Sequence, residues 1–160
     1  MKNITVTTQF SVFEDTSELP QDVQDLIAKA VSTRKNAYAP YSKFRVGAAI
    51  LLDNGEIVLG SNQENAAYPS GLCAERTAIF YTGANYPEAT ILKMAITAAS
   101  DTNPTLSPIP PCGACRQSIA EYEFKQNQPI EIYFMGEKGA IFKSDSLKNL
   151  LPITFDKNFL

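Results

Sequence analysis

Between Ile4 and Val12 the chain alternates, with Ile4, Val6, Phe10 and Val12 apolar and Thr8 in phase. A period of two is that of a half-buried strand. The spacing lengthens after Pro20, where Val23, Leu26, Ile27, Ala30, Val31 and Ala37 form one helical stripe. Proline at a first helical position is a favoured start, and Tyr38-Ala39-Pro40 ends this helix. Phe44 to Leu52 is rich in strand-forming residues. Asp53-Asn54-Gly55 is a hairpin turn signal, and Glu56 to Ser61 returns as its partner. Asn62 to Leu72 reads as a loop and Cys73 to Thr82 as a helix ended near Gly83. Ile91 to Ala98 is apolar on both faces, the mark of a central strand covered by helices. The four prolines between Ser100 and Pro111 make a second loop. It leads into a helix from Cys112 to Phe124, strands over Ile130–Phe134 and Ala140–Lys143 around a Gly136–Gly139 turn, and a helical turn over Ser146–Leu151 stopped by Pro152.

Strands alternating with helices predict an α/β fold, a three-layer α/β/α sandwich around one mixed, roughly five-stranded sheet. The first hairpin supplies an antiparallel pair, and the later strand–helix–strand units predict right-handed parallel crossovers. The strand before Pro20 is an addition at an edge or interface. A chain of 160 residues, 44% hydrophobic, has enough apolar side chain for a core. One domain over 1–160 is expected, with 1–19 as an N-terminal extension.

Charge narrows the partners. The net charge is −3 and the isoelectric point about 5.0. No run of Lys or Arg offers a basic face, so a nucleic-acid partner is not expected. No apolar run has the length of a membrane span, and the start lacks a signal-peptide core. Three cysteines, an odd number, argue against a disulfide framework. A reducing cytoplasm is the expected compartment.

All three cysteines lie in two short stretches, Cys73-Ala74-Glu75-Arg76 and Pro111-Cys112-Gly113-Ala114-Cys115-Arg116. Each falls at the start of a predicted helix. Three thiolates plus a water make a catalytic type of zinc site, and the chain has no histidine to supply a fourth protein ligand. Cys112 and Cys115, three apart, share one helix face, and two helix N-termini aimed at one ion favour the thiolate form. Arg76 and Arg116 each follow a site residue, placed to draw electron density from the sulfurs. Taken alone, Cys112 and Cys115 read equally as a redox dithiol, metal ligands or core. Taken alone, Glu75 reads as a helix-capping carboxylate.

With C-A-E and P-C-x-x-C in this order, the chain resembles the cytidine deaminase family, of the homotetrameric three-cysteine zinc type. Tyr41-Ser42-Lys43-Phe44-Arg45-Val46-Gly47-Ala48-Ala49 resembles the family's first strand. Asn62-Gln63-Glu64-Asn65-Ala66-Ala67-Tyr68 resembles its ribose-binding segment, and Leu150-Leu151-Pro152 with Phe155 its C-terminus. The likeness runs from about Tyr38 to Phe155. Gln63 stands where the family more often has an aliphatic residue, the Pro69–Leu72 loop differs in sequence, and the first twenty or so residues have no counterpart in short members.

The resemblance implies one Zn²⁺ per chain on Cys73, Cys112 and Cys115, and hydrolytic deamination of cytidine and deoxycytidine in pyrimidine salvage. Glu75 would be the general acid/base, not a ligand. It implies that Asn62 and Glu64 bind ribose hydroxyls, that Phe44 lies against the pyrimidine, and that backbone beside Ala74 binds the base carbonyl. Ala66, Tyr68 and Phe155 would reach into a neighbouring subunit's site in a homotetramer. Asn62 and Glu64 also read as turn residues, and Phe44, Tyr68 and Phe155 as ordinary core aromatics. Two other functions remain open: a zinc deaminase of another aminopyrimidine such as a nucleoside antibiotic, and a non-catalytic zinc-binding module.

Overall fold

A computed structural model describes residues 1–160. Six strands form one mixed sheet: β1 (Ser11–Phe13), β2 (Phe44–Leu52), β3 (Ile57–Ser61), β4 (Ile91–Ser100), β5 (Glu131–Met135) and β6 (Ile141–Ser144), in the order β1-β6-β5-β4-β2-β3. Three helices accompany them: α1 (Gln21–Arg34), α2 (Ala74–Asn85) and α3 (Gly113–Gln126). Only β4 and β5 are parallel neighbours, joined through α3. β2 is antiparallel to both β3 and β4. β3 and β4 therefore run the same way on either side of it, and α2 crosses between them.

The alternation along the strands sorts the core into two sides. Ala48, Ile50, Met94, Ile96, Ile132 and Phe134 pack with Ala78 and Ile79 of α2 and Ile119 of α3. Their neighbours Ala49, Ala95, Tyr133 and Met135 point the other way, onto Val23, Leu26, Ile27 and Ala30 of α1. This is the expected three-layer sandwich, with α1 alone on one face.

Local details differ from the pattern-based reading. The strand expected over Ile4–Val12 is confined to Ser11–Phe13, because a strand needs a partner and β6 offers one only there, opposite Lys143 to Ile141. Helix α1 stops at Arg34, so Ala37 of the expected stripe is buried but lies outside the helix. Helix α2 runs through Gly83 to Asn85 instead of ending there. A Cβ at Gly83 would come within 2.2 Å of the Tyr122 hydroxyl, so this glycine permits close packing of α2 on α3.

The carboxyl ends of β3 and β4 lie at the same end of the sheet, and the two cysteine stretches follow the loops that leave them. Open α/β sheets bind ligands beyond the carboxyl ends of parallel strands. Gly60 sets how closely α2 lies on β3. A Cβ there would stand 2.4 Å from the Ala74 carbonyl oxygen and 2.6 Å from the Ala78 nitrogen.

Candidate metal centre and adjoining cleft

Cys73 is the N-cap of α2 and Cys112 the N-cap of α3, while Cys115 lies in the first turn of α3. Neither cap residue bonds its own helix through the side chain, so the sulfurs are free to face one another. Cys73 Sγ is 3.8 Å from Cys112 Sγ, which is 3.5 Å from Cys115 Sγ. The three lie within 4.8 Å of one another. A tetrahedral ion with Zn–S bonds of about 2.3 Å holds its sulfurs about 3.8 Å apart. The trio thus has the spacing of three corners of a zinc tetrahedron, and its soft donors suit that metal. It can bind one metal ion.

The helix ends and Arg76 set the charge of the cluster. Arg76 Nη2 lies 3.9 Å from Cys73 Sγ, and its Nε is buried without a partner. The Cys73 thiol is lowered to about 5, first by its hydrogen bond with Cys115 and then, against the cost of burial, by Arg76 and Cys112. That same bond, followed by burial, pushes Cys115 up. The guanidinium thus faces the sulfur whose thiolate form it favours.

Glu75, the second residue of α2, is only 4% exposed. Burial pushes its carboxyl above the ordinary carboxylate range, and the nearby Cys73 charge acts in the same direction. Its own backbone N–H pulls the other way.

Glu75, Cys73, Cys112 and Arg76 line one end of a cleft of ≈ 670 Å³, a volume typical of small-molecule sites. Phe44, Asn62, Glu64 and Tyr68 line the same cleft. Tyr68 is 80% exposed and marks its rim. Asn62 continues the sheet with its side chain: Oδ1 accepts from Val46 N at 2.7 Å, and Nδ2 donates to Phe44 O at 2.9 Å. One amide N–H and one lone pair remain for other partners. Glu64 Oε2 accepts from the backbone N–H of Tyr41 at 2.9 Å and of Ser42 at 3.3 Å. These bonds, with the Ser42 hydroxyl first, hold the Glu64 carboxyl below its usual range.

Other expected site residues stand apart. Ala74 is fully buried behind the cleft wall, and Ala66 is exposed outside it. Phe155, 58% exposed, stacks on Phe159 at 5.8 Å, while its carbonyl accepts from Gln117 Nε2 on α3. It does not line its own chain's cleft. Arg116 donates from Nε to Pro111 O and from Nη1 to Leu150 O, with no hydrogen bond to a sulfur. Ile109, Pro110 and Ile96 line the cleft and escaped the sequence reading. For Ile109 and Pro110 the signal was the run of prolines that enters Cys112 directly; Ile96 lies in the central strand β4, where an apolar residue reads simply as core.

The family profile described as "Cytidine and deoxycytidylate deaminase zinc-binding region" matches residues 20–128. The chain is 42% identical over 139 residues to a cytidine deaminase of Sporosarcina psychrophila, covering 87% of this chain and 95% of that one. It is 48% identical over 100 residues to a cytidine deaminase of Halalkalibacterium halodurans, covering 62% and 71%. Among solved structures, a cytidine deaminase from Burkholderia pseudomallei superposes with a TM-score of 0.72 at 36% identity, over 86% of this chain and 100% of that one.

Proposed function

The chain belongs to the cytidine and deoxycytidylate deaminase family, and from that premise we propose that it hydrolyses cytidine and deoxycytidine to uridine and deoxyuridine, releasing ammonia, in pyrimidine salvage. The observation that carries this reading is that three cysteine sulfurs at zinc spacing and a buried glutamate share one cleft with Asn62 and Glu64.

Cys73, Cys112 and Cys115 hold one zinc per chain. When bound, zinc supplies Lewis acidity that brings the pKa of a coordinated water toward about 7. Glu75 accepts a proton from the attacking water and passes it to the ring nitrogen beside C4. The water oxygen bonds to C4, Glu75 carries that oxygen's second proton to the amino group, and the exocyclic C4–N bond breaks as the C4 carbonyl forms and ammonia leaves. A carboxyl whose burial favours the protonated form suits a group that repeatedly takes up and gives back a proton.

Arg76 drains charge from the Cys73 sulfur and so strengthens the ion as an acid. Arg116 acts at one remove, fixing the Pro111 carbonyl that precedes Cys112. Phe44 packs against the pyrimidine, and backbone beside Ala74 takes the base carbonyl. Asn62 and Glu64, each with hydrogen-bonding capacity left over, bind the ribose hydroxyls. Residues 1–160 act as one domain in a cytoplasmic homotetramer, where Ala66, Tyr68 and Phe155 complete a neighbour's cleft. The exposure of Tyr68 and Phe155 favours this arrangement over a role in their own core.

The test is loss of cytidine absorbance on conversion to uridine, with metal analysis of the same preparation. Turnover with one zinc per chain is expected. Full zinc with no turnover of cytidine or deoxycytidine would favour another aminopyrimidine as substrate or a non-catalytic module.

A further inference from the structure

We propose that residues 2–14 pair with the same residues of a second copy of this chain, antiparallel and in register about Thr8. This contact is independent of the catalytic reading. The segment has the composition of a strand, yet only Ser11–Phe13 form one and the rest has almost nothing to pair with. Residues 1–9 are exposed throughout, Ile4 at 84% and Val6 at 51%. The one hydrogen bond within residues 1–10 runs from Gln9 N to Asn149 Oδ1 at 3.4 Å. From Ile4 to Phe13 nine of ten residues are Ile, Val, Thr, Phe or Ser, with Gln9 the exception. There is no proline and no charge.

The segment leads straight into β1, whose outer edge is one of the two free edges of the sheet. Sheet edges are normally guarded by charge, proline or a bulge, because unpaired backbone groups recruit another strand. None of these guards lies between Asn3 and Phe13.

The sequence selects both partner and register. Antiparallel pairing about Thr8 places Ile4 opposite Val12, Val6 opposite Phe10, and Lys2 opposite Glu14. On the other face Thr5 meets Ser11 and Thr7 meets Gln9. On the face that carries Phe10 and Val12, apolar meets apolar and the one cation meets an anion, twice over by symmetry; on the other face the single mixed pair is Asn3 opposite Phe13. A shift of two residues one way sets Lys2 against Val12, and the other way sets Ile4 against Glu14. Register is fixed where such mismatches cost energy. Phe10 already packs on Phe134 and Phe142 in the isolated chain. Val12 pairs with Phe142 across the strands, so the apolar stripe of the partner strand would extend an existing core face. A self-complementary patch of this kind is what a two-fold contact requires.

The test is site-specific cross-linking of the zinc-loaded full chain. Thr8→Cys puts a thiol on the two-fold axis, where directly opposed Cβ atoms are about 4.5–5.5 Å apart. Val6→Cys moves the two thiols about 13–14 Å apart along the strands. Mild oxidation should link Thr8→Cys chains into dimers on non-reducing gels and leave wild type and Val6→Cys largely unlinked. In the Thr8→Cys background, Lys2→Glu or Glu14→Lys alone should reduce the yield several-fold, and both together should restore it. Absence of a Thr8→Cys dimer would overturn the proposal, as would equal linking at both positions or indifference to the charge reversals. An arm folded back on its own chain would produce the first of these results.

Discussion

Glu75 and Cys73 are two residues apart on one helix start, but their substitutions should fail differently. Glu75→Gln keeps the volume and the backbone bonds of the helix turn while removing the transferable proton. Zinc content and melting temperature should stay near wild type, and turnover should fall at or beyond the top of the ~10²–10⁴-fold range of general acid/base groups. A variant that kept a tenth of the wild-type rate would remove Glu75 from the reaction. Cys73→Ala should instead lose the metal, measured by atomic absorption, and with it part of a stabilisation that can be on the order of 10 kcal/mol. At this scale the cysteine cluster was legible only when the two stretches were read together, since each cysteine and Glu75 alone has other uses, and the three sulfurs do meet at zinc spacing. The second task of Asn62 was not. Its amide bridges Phe44 and Val46 only because β3 returns beside β2 in the right register, and that depends on the fold.

At the scale of the elements, the distance from β3 to α2 places Cys73. Gly60→Ala would push a methyl into the backbone at Ala74 and Ala78, which cannot swing aside as a side chain could. A cost of about 1–3 kcal/mol is expected, as for other overpacked sites. Weaker zinc binding should follow, because Ala74 is bonded to Cys73. Gly113→Ala is the control: it lies between two site cysteines, yet a Cβ there meets nothing within 4 Å. Thermal melts and zinc titrations of the pair should separate them, with Gly113→Ala close to wild type. The hairpin, the central strand and both site helices could be read from the sequence because period and turn chemistry are local. The short β1 and the continuation of α2 past Gly83 could not. The first depends on the length of β6, and the second on Tyr122 lying opposite the glycine.

For the whole molecule, the position of Phe155 outside its own cleft gives the test of shared sites. Phe155→Ala should weaken substrate use, raising KM more than it lowers zinc content. Mixed with Glu75→Gln chains under exchange conditions, it should regain activity, because some sites would then combine an intact Glu75 with a neighbour's intact Phe155. Two inactive populations that stay inactive after verified exchange would rule out the shared site. The cysteine cluster has a larger consequence. Cys73 and Cys112 are 39 positions apart, and the chain between them holds α2, β4 and the proline loop. An ion gripping both ends ties off that stretch as a covalent cross-link would. For a loop of about 40 residues, chain-entropy arguments put such a tie at about 4 kcal/mol. The reagent of the reaction is then also the knot that keeps the crossover closed. In a cell short of zinc, molecules that lose activity would also open more often to proteases, so the amount of protein would follow the metal supply along with its rate.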